Sequence, residues 1–251
     1  MNAPDDLSAL HEKPFADAVV KFEELLAQSG RAFLIGAGCS KCAGLPLTAE
    51  LTQEALSSDA LNDTTKALLA AIRDFFEGAA DANIEDYLSE LIDLLAIAER
   101  RTSRGATQKT VTLGGVSYGE ALLRTAADQI KNGIAGVIEK SVSIETHQDF
   151  IRGVHRPQRP GKSPSGQTVD YLVLNYDTVL EDALALERVP FADGLDGGVT
   201  GWWSPQTFDR TGLAARVFKL HGSINWCEFP DDPLPRRVGD RLQIAGVKER
   251  R

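Results

Sequence analysis

FLIGAGCSKCAGLP, Phe33–Pro46, runs from apolar residues through two closely spaced glycines and a pair of cysteines. It begins within an apolar run, RAFLIG, too brief and too apolar for an exposed helix, which predicts a short buried strand. Gly36 and Gly38 break that run, and TAELTQEAL beyond Pro46 reads as the helix leaving the turn. Strand, glycine turn and helix in that order form the first unit of a dinucleotide-binding fold.

Two later segments repeat the strand pattern. DYLVLNYD, residues 170–177, has the continuous apolar centre of a buried parallel strand. RVFKLHG, residues 216–222, is a short apolar strand that stops on polar residues. The expected architecture is α/β, a Rossmann-like parallel sheet with a helical insertion or cap module. Ahead of the first strand, Phe15, Val19, Phe22 and Leu26 fall at helical spacing, with Gly30 as a C-terminal stop. Residues 61–145 read as mostly helical. There Asn83 caps a helix with Ile84, Leu88, Leu91, Ile92 and Leu95 on one face, and YGEALLRTAADQIKNGIAGVIEK follows a TLGG turn. This block is too long for a simple crossover between neighbouring strands. The expected division is one domain over 1–251. Residues 1–60 supply the N-terminal helix and first strand-turn-helix, 61–150 the helical module, and 168–251 the rest of the core.

Composition bounds the function. The chain has 251 residues, 43% hydrophobic and 25% charged, an ordinary globular composition. A net charge of −9 argues against broad nucleic-acid binding by this chain alone. Local basic segments exist, one with Arg152, Arg156, Arg159 and Lys162 and one in the tail RRVGDRLQIAGVKERR, and both read as solvated loop and frayed terminus. No apolar run approaches the ~20 residues that span a bilayer. The N-terminus lacks the basic-then-apolar layout of a signal peptide. Three cysteines do not make a disulfide framework, so the cytoplasm is the expected location.

The opening stretch also contains a CxxC, Cys39 and Cys42. Structural zinc needs four ligands, and only Cys227 remains, so no metal is expected. A redox pair would open a helix after a strand, as this one nearly does, but leaves Gly38 and the following GLP unexplained. The alternative is a pair of small buried residues. The glycines fit neither GxGxxG, because Lys41 occupies the third glycine position, nor a P-loop, because no GK[ST] follows. What remains is either a tight structural turn or one in which Gly36 and Gly38 admit close backbone approach, with the amides of Ala37 to Ser40 facing a phosphate.

Asn175 and Asp177 stand at the end of the second strand and His221 at the end of the third. Singly, Asn175 is a turn cap and His221 a core histidine. Together they place an amide, a carboxylate and an imidazole at the carboxyl ends of parallel strands, where such sheets bind ligands.

GAGxS followed by GLP, then NYD after an apolar strand, then KLHGSxxW, in this order, resembles the sirtuin superfamily. The likeness is to its divergent sirtuin-like branch among bacterial anti-phage defence proteins that hydrolyse NAD, and it spans about residues 31–226. The resemblance implies a sirtuin-type sheet and NAD as substrate. Gly36, Ala37, Gly38, Cys39, Ser40 and Pro46 match the loop holding the pyrophosphate and ribose. Asn175 matches the asparagine at the nicotinamide ribose that positions a water, and Asp177 the aspartate holding the carboxamide. His221 matches the histidine acting as general base or ribose partner. The implied partners are further copies of the chain, or a defence protein such as a HerA-type ATPase or a short Argonaute.

The sequence also departs from the sirtuin deacetylases. Leu47, Thr48 and Ala49 replace the Asp-Phe-Arg element, Leu174 replaces the glutamine before the asparagine, and the zinc module is missing. These departures weigh against an acyl-lysine groove. Only 30 residues follow His221, so the expectation is a truncated chain or a tail that completes the sheet unusually. The expected activity is NAD glycohydrolysis, as the toxic effector of a defence system held off until triggered. The rivals are an NAD-dependent deacylase, a non-catalytic NAD or ADP-ribose-binding scaffold, and a CxxC redox protein.

Overall fold

The structure is a computed structural model that describes residues 13–26, 30–76, 82–155, 168–229, 232–237 and 243–244. In chain order the elements begin with α1 (Lys13–Leu26), β1 (Ala32–Ile35), α2 (Ala37–Lys41), α3 (Thr48–Leu56), α4 (Asp63–Arg73) and α5 (Ile84–Ser103). They continue with β2 (Val111–Leu113), β3 (Val116–Tyr118), α6 (Glu120–Ile138), β4 (Ser141–Val142), α7 (Glu145–His155), β5 (Val169–Val173) and α8 (Val179–Leu186). The last are β6 (Phe191–Ala192), β7 (Leu195–Asp196), β8 (Trp202–Trp203), β9 (Ala215–Lys219), β10 (Trp226–Phe229), β11 (Asp232–Arg237) and β12 (Gln243–Ile244). These fall into two compact units, Met1–Gly36 with Ile144–Gly239, and Ala37–Ser143 with Asp240–Arg251.

The first unit is a Rossmann-like α/β body. Its central sheet has the order β1-β5-β9-β6, and each neighbouring pair is parallel. β5 sits between two strands, and its period-2 pattern is visible in VDYLV: Val169, Tyr171 and Val173 are buried while Asp170 and Leu172 are half-buried. Burying each of the three stabilises the fold by about 1.5–3 kcal/mol. α7 covers this face, with Phe150 edge-on to Phe33 at 5.4 Å between ring centroids, and Phe33 stacked on Tyr171 at 5.5 Å. α8 is fastened to α7 through Glu187, which accepts from Arg152 at 2.6 Å and from Gln148 at 2.9 Å. Arg152 therefore belongs to an ion-paired helix, not to a solvated loop; Arg156, Arg159 and Lys162 lie outside the described residues.

β1 corrects the expectation of a buried strand. Ile35 is 8% exposed but Leu34 is 68% exposed, because β1 is the edge of the sheet and has a strand neighbour, β5, on one side, among the described residues. α1 forms as its spacing predicts, yet Phe15 and Val19 remain exposed. The side chains of Phe22 and Leu26 lie outside the described residues.

A small antiparallel sheet, order β10-β11-β8-β7, was not anticipated. Gly194 before β7 has φ of 85°, and a Cβ there would lie 2.3 Å from the Trp203 ring, so this turn requires glycine. Arg237 of β11 pairs with Asp193, so the start of the tail is strand, not the expected frayed terminus; the tail residues beyond, apart from β12, lie outside the described residues.

The second unit is mainly helical. Asn83 caps α5 in a reciprocal box, accepting from the Glu85 amide at 2.8 Å while its own amide donates to Asp86 at 2.8 Å. Ile84, Leu91 and Leu95 are buried as the spacing predicts, joined by Tyr87 and Ala98, whereas Ile92 is exposed. α6 presents Leu123, Ile130 and Ile134 to the core and packs closely on α3, where a Cβ on Gly133 would lie 3.3 Å from the Ala55 carbonyl. The TLGG segment is the turn of a β2–β3 hairpin, and β12 pairs in parallel with β4. Among the described residues no helix is long and apolar enough to cross a membrane.

Candidate functional site

The carboxyl ends of β1, β5 and β9 meet through backbone and side-chain bonds. The Leu174 amide donates to the Ile35 carbonyl at 2.9 Å, and the Leu220 amide to the Val173 carbonyl at 2.9 Å. These bonds continue the ladders just past the strands and set the starting points of two loops. On the first, the Asn175 side-chain amide donates to the Gly36 carbonyl at 3.1 Å, fixing the asparagine against the exit of β1. Asn175 and Asp177 are each only 7% exposed. Asp177 Oδ1 accepts from the Val179 amide at 3.1 Å, so its orientation is set by the backbone that starts α8.

The second loop, HGSIN, is stitched to the first at Tyr176. The Tyr176 carbonyl accepts from the Ile224 amide at 2.9 Å and from the Ser223 hydroxyl at 3.2 Å. The His221 ring lies 6.3 Å from the Tyr176 ring, between centroids. His221 is exposed, which removes the core-histidine reading. Asn225, on the same loop, is buried, and its Oδ1 has no hydrogen-bond partner among the described residues. The structure thus brings together Gly36, Asn175, Asp177 and His221 on connected backbone. An amide, a carboxylate and an exposed nitrogen base suit polar ligand contact and proton transfer.

The other expected residues lie in the helical unit. Ala37, Gly38, Cys39 and Ser40 form α2 with Lys41, so a short helix stands where the glycine turn was expected. Their chain then turns back, with the Ala43 and Leu45 amides donating to the Ser40 carbonyl at 3.1 and 3.2 Å, and Pro46 follows before α3. Gly36 and Gly38 lack positive φ, and no described atom lies within 4 Å of a Cβ built on either. The fold itself therefore does not demand glycine at these positions. Cys39 is half-buried and Cys42 exposed, contrary to the reading of both as buried small residues; the Cys42 thiol donates to the Cys39 carbonyl at 2.9 Å. Among the described residues no group of three or more His, Cys, Asp and Glu could hold a metal ion.

Beneath the Asp177 loop lies a buried ion pair that the sequence reading missed. The Lys219 side chain is 1% exposed, its Nζ lies 3.3 Å from Glu181 Oε1, and it donates to the Asp177 carbonyl. Burial pushes the Glu181 carboxyl above the usual range, with the Lys219 ammonium opposing that shift. Removing one partner of such a pair costs about 3–5 kcal/mol. The signal was present as single charges inside the apolar runs RVFKL and VLEDALAL. Tyr176 was missed because its contribution is made by its main-chain carbonyl as much as by its ring.

No protein-family model matches the chain, and no curated protein matches it.

Proposed function

We propose that the chain is an NAD glycohydrolase of the sirtuin-like kind, releasing nicotinamide and ADP-ribose. The observation that carries this reading is the stitching at Tyr176 together with the Asn175–Gly36 bond. These contacts connect the NYD loop, the HGS loop and the exit of β1, the three segments whose motifs resemble the family.

The residue set suits the chemistry. In NAD the nicotinamide is held as a cation and departs neutral with the electron pair of the C–N bond, so no general acid is required. Water adds to the ribose carbon as that bond breaks, and its proton must go to a base. His221, exposed at the loop, is that base and passes the proton to solvent. Asn175, pinned by the Gly36 carbonyl, orders the water, and Asp177 holds the carboxamide. Asn225 Oδ1 offers a buried acceptor with unused capacity on the same loop, of the type a ribose hydroxyl satisfies. Free hydrolysis would drain a cell of NAD, so the activity fits a toxic effector in anti-phage defence, held off until assembly or a partner releases it.

The test is nicotinamide release from NAD by the full chain, with and without its genomic neighbour, and with an acylated lysine peptide in a parallel arm. Release without peptide supports the hydrolase. Deacylation with little free hydrolysis would overturn it in favour of a deacylase. NAD or ADP-ribose binding with no turnover in any arm would make the chain a scaffold.

A further inference from the structure

β9 delivers a lysine into the core. Strand alternation puts Lys219 on the same side as Ala215 and Val217, both fully buried, and its ammonium ends under the first turn of α8. There it meets Glu181 Oε1 at 3.3 Å and donates to the carbonyl of Asp177. One cation thus ties together the end of β9, the start of α8 and the loop that joins β5 to α8. The carbonyl that Lys219 holds belongs to the same residue, Asp177, whose side-chain Oδ1 is fixed by the Val179 amide. Two residues beyond Lys219 the chain reaches His221.

The pair is poorly arranged for stability alone. Glu181 Oε2 is buried with no hydrogen-bond partner among the described residues, and a buried pair of charges is often matched in stability by apolar side chains of similar volume. What apolar side chains could not supply is a hydrogen bond to the Asp177 carbonyl.

We propose that Lys219 and Glu181 are a positioning pair, which holds the Asn175–Asp177 loop at a fixed height and distance from the loop carrying His221. The role is stated for the NAD hydrolysis proposed above and rests on that reading. Glu181 sets the position of the Lys219 ammonium, and Lys219 sets the Asp177 backbone. Neither touches substrate.

The experiment compares wild type with Lys219→Met/Glu181→Leu, which removes both buried charges, and with Glu181→Gln, which keeps the shape and removes one. The direct readouts are amide hydrogen exchange at Val179, bonded to Asp177 Oδ1, and at Ile224, bonded to the Tyr176 carbonyl. In the folded double variant both amides should exchange about tenfold faster or more, while amides in the middle of β5 and β9 keep wild-type protection. In Glu181→Gln the Val179 amide moves in the same direction by less. For nicotinamide release, kcat should fall about tenfold or more with KM changed by less than about threefold, as expected when orientation and not binding is lost. Wild-type exchange at Val179 and Ile224 in a folded variant overturns the positioning role, whatever the wild type does with NAD. Faster exchange in a protein whose wild type never turns over NAD overturns the hydrolase reading and leaves the anchor standing.

Discussion

Replacing Gly38 by alanine separates a glycine kept for the fold from one kept for a ligand. Gly38 is exposed and second in α2, its φ is not positive, and a Cβ built on it meets no described atom within 4 Å. Alanine should therefore fit without strain. Helix propensity adds about 0.5–1 kcal/mol in a helix interior, and less in so short a helix. For a protein of this size 1 kcal/mol corresponds to about 2–4 °C in Tm, so Gly38→Ala should melt at the wild-type temperature or up to about 3 °C higher. If NAD lies against this backbone, the added methyl group displaces it. A loss of about 1.4–2.8 kcal/mol is a 10- to 100-fold weaker Kd. Thermal melting and an NAD titration by calorimetry read the two effects on one sample. A Tm lower by several degrees would make Gly38 a structural glycine and refute the first step. An unchanged Kd at an unchanged Tm would refute close approach of NAD to this part of the chain.

Other predictions concern the scaffold. His155 shares a 2.9 Å hydrogen bond with the Tyr171 hydroxyl, and burial, reinforced by the Arg31 charge, lowers its pKa to about 4. A folded-state pKa below the unfolded value means that the unfolded chain binds more protons between those two values. Stability should therefore be fully present above about pH 6.5 and fall as pH drops toward 4, by about 1–2 kcal/mol after solvent screening of a partly exposed group. His155→Phe should flatten that part of a denaturant-midpoint profile, and an unchanged slope would assign it elsewhere. Gly194→Ala places a Cβ 2.3 Å from the Trp203 ring at a φ of 85° and should cost about 2–4 kcal/mol, read by urea unfolding on tryptophan fluorescence. Cys42→Ser, at an exposed thiol that donates to the Cys39 carbonyl, should leave NAD turnover unchanged; its loss would revive the redox reading.

The parallel sheet was legible because DYLVLNYD and RVFKLHG are short apolar runs that stop on polar residues; in the structure the corresponding strands, VDYLV and ARVFK, bury alternate residues most deeply. The capping of α5 was equally local, since Asn83 and Asp86 lie three residues apart. β1 was misjudged because burial of RAFLI depends on how many strands flank it, and an edge position is not a property of the run. The antiparallel sheet escaped because β7 and β8 are two residues each, below any periodic signal, and held by glycine turns against tryptophan rings. Within the candidate site, Asn175, Asp177 and His221 were visible as polar strand ends. The contacts that connect them run through the main-chain carbonyls of Gly36, Tyr176 and Asp177, which every residue carries and no sequence distinguishes.

NAD hydrolysis by this chain is read from the NAD content of cells expressing it together with its genomic neighbours, comparing wild type with Asn175→Ala and His221→Ala. The wild type should deplete NAD and release nicotinamide, with each variant slower by about 10²-fold or more, the scale of a lost acid–base or water-positioning group. NAD held at the same level by all three proteins, or drained equally by all three, would contradict it.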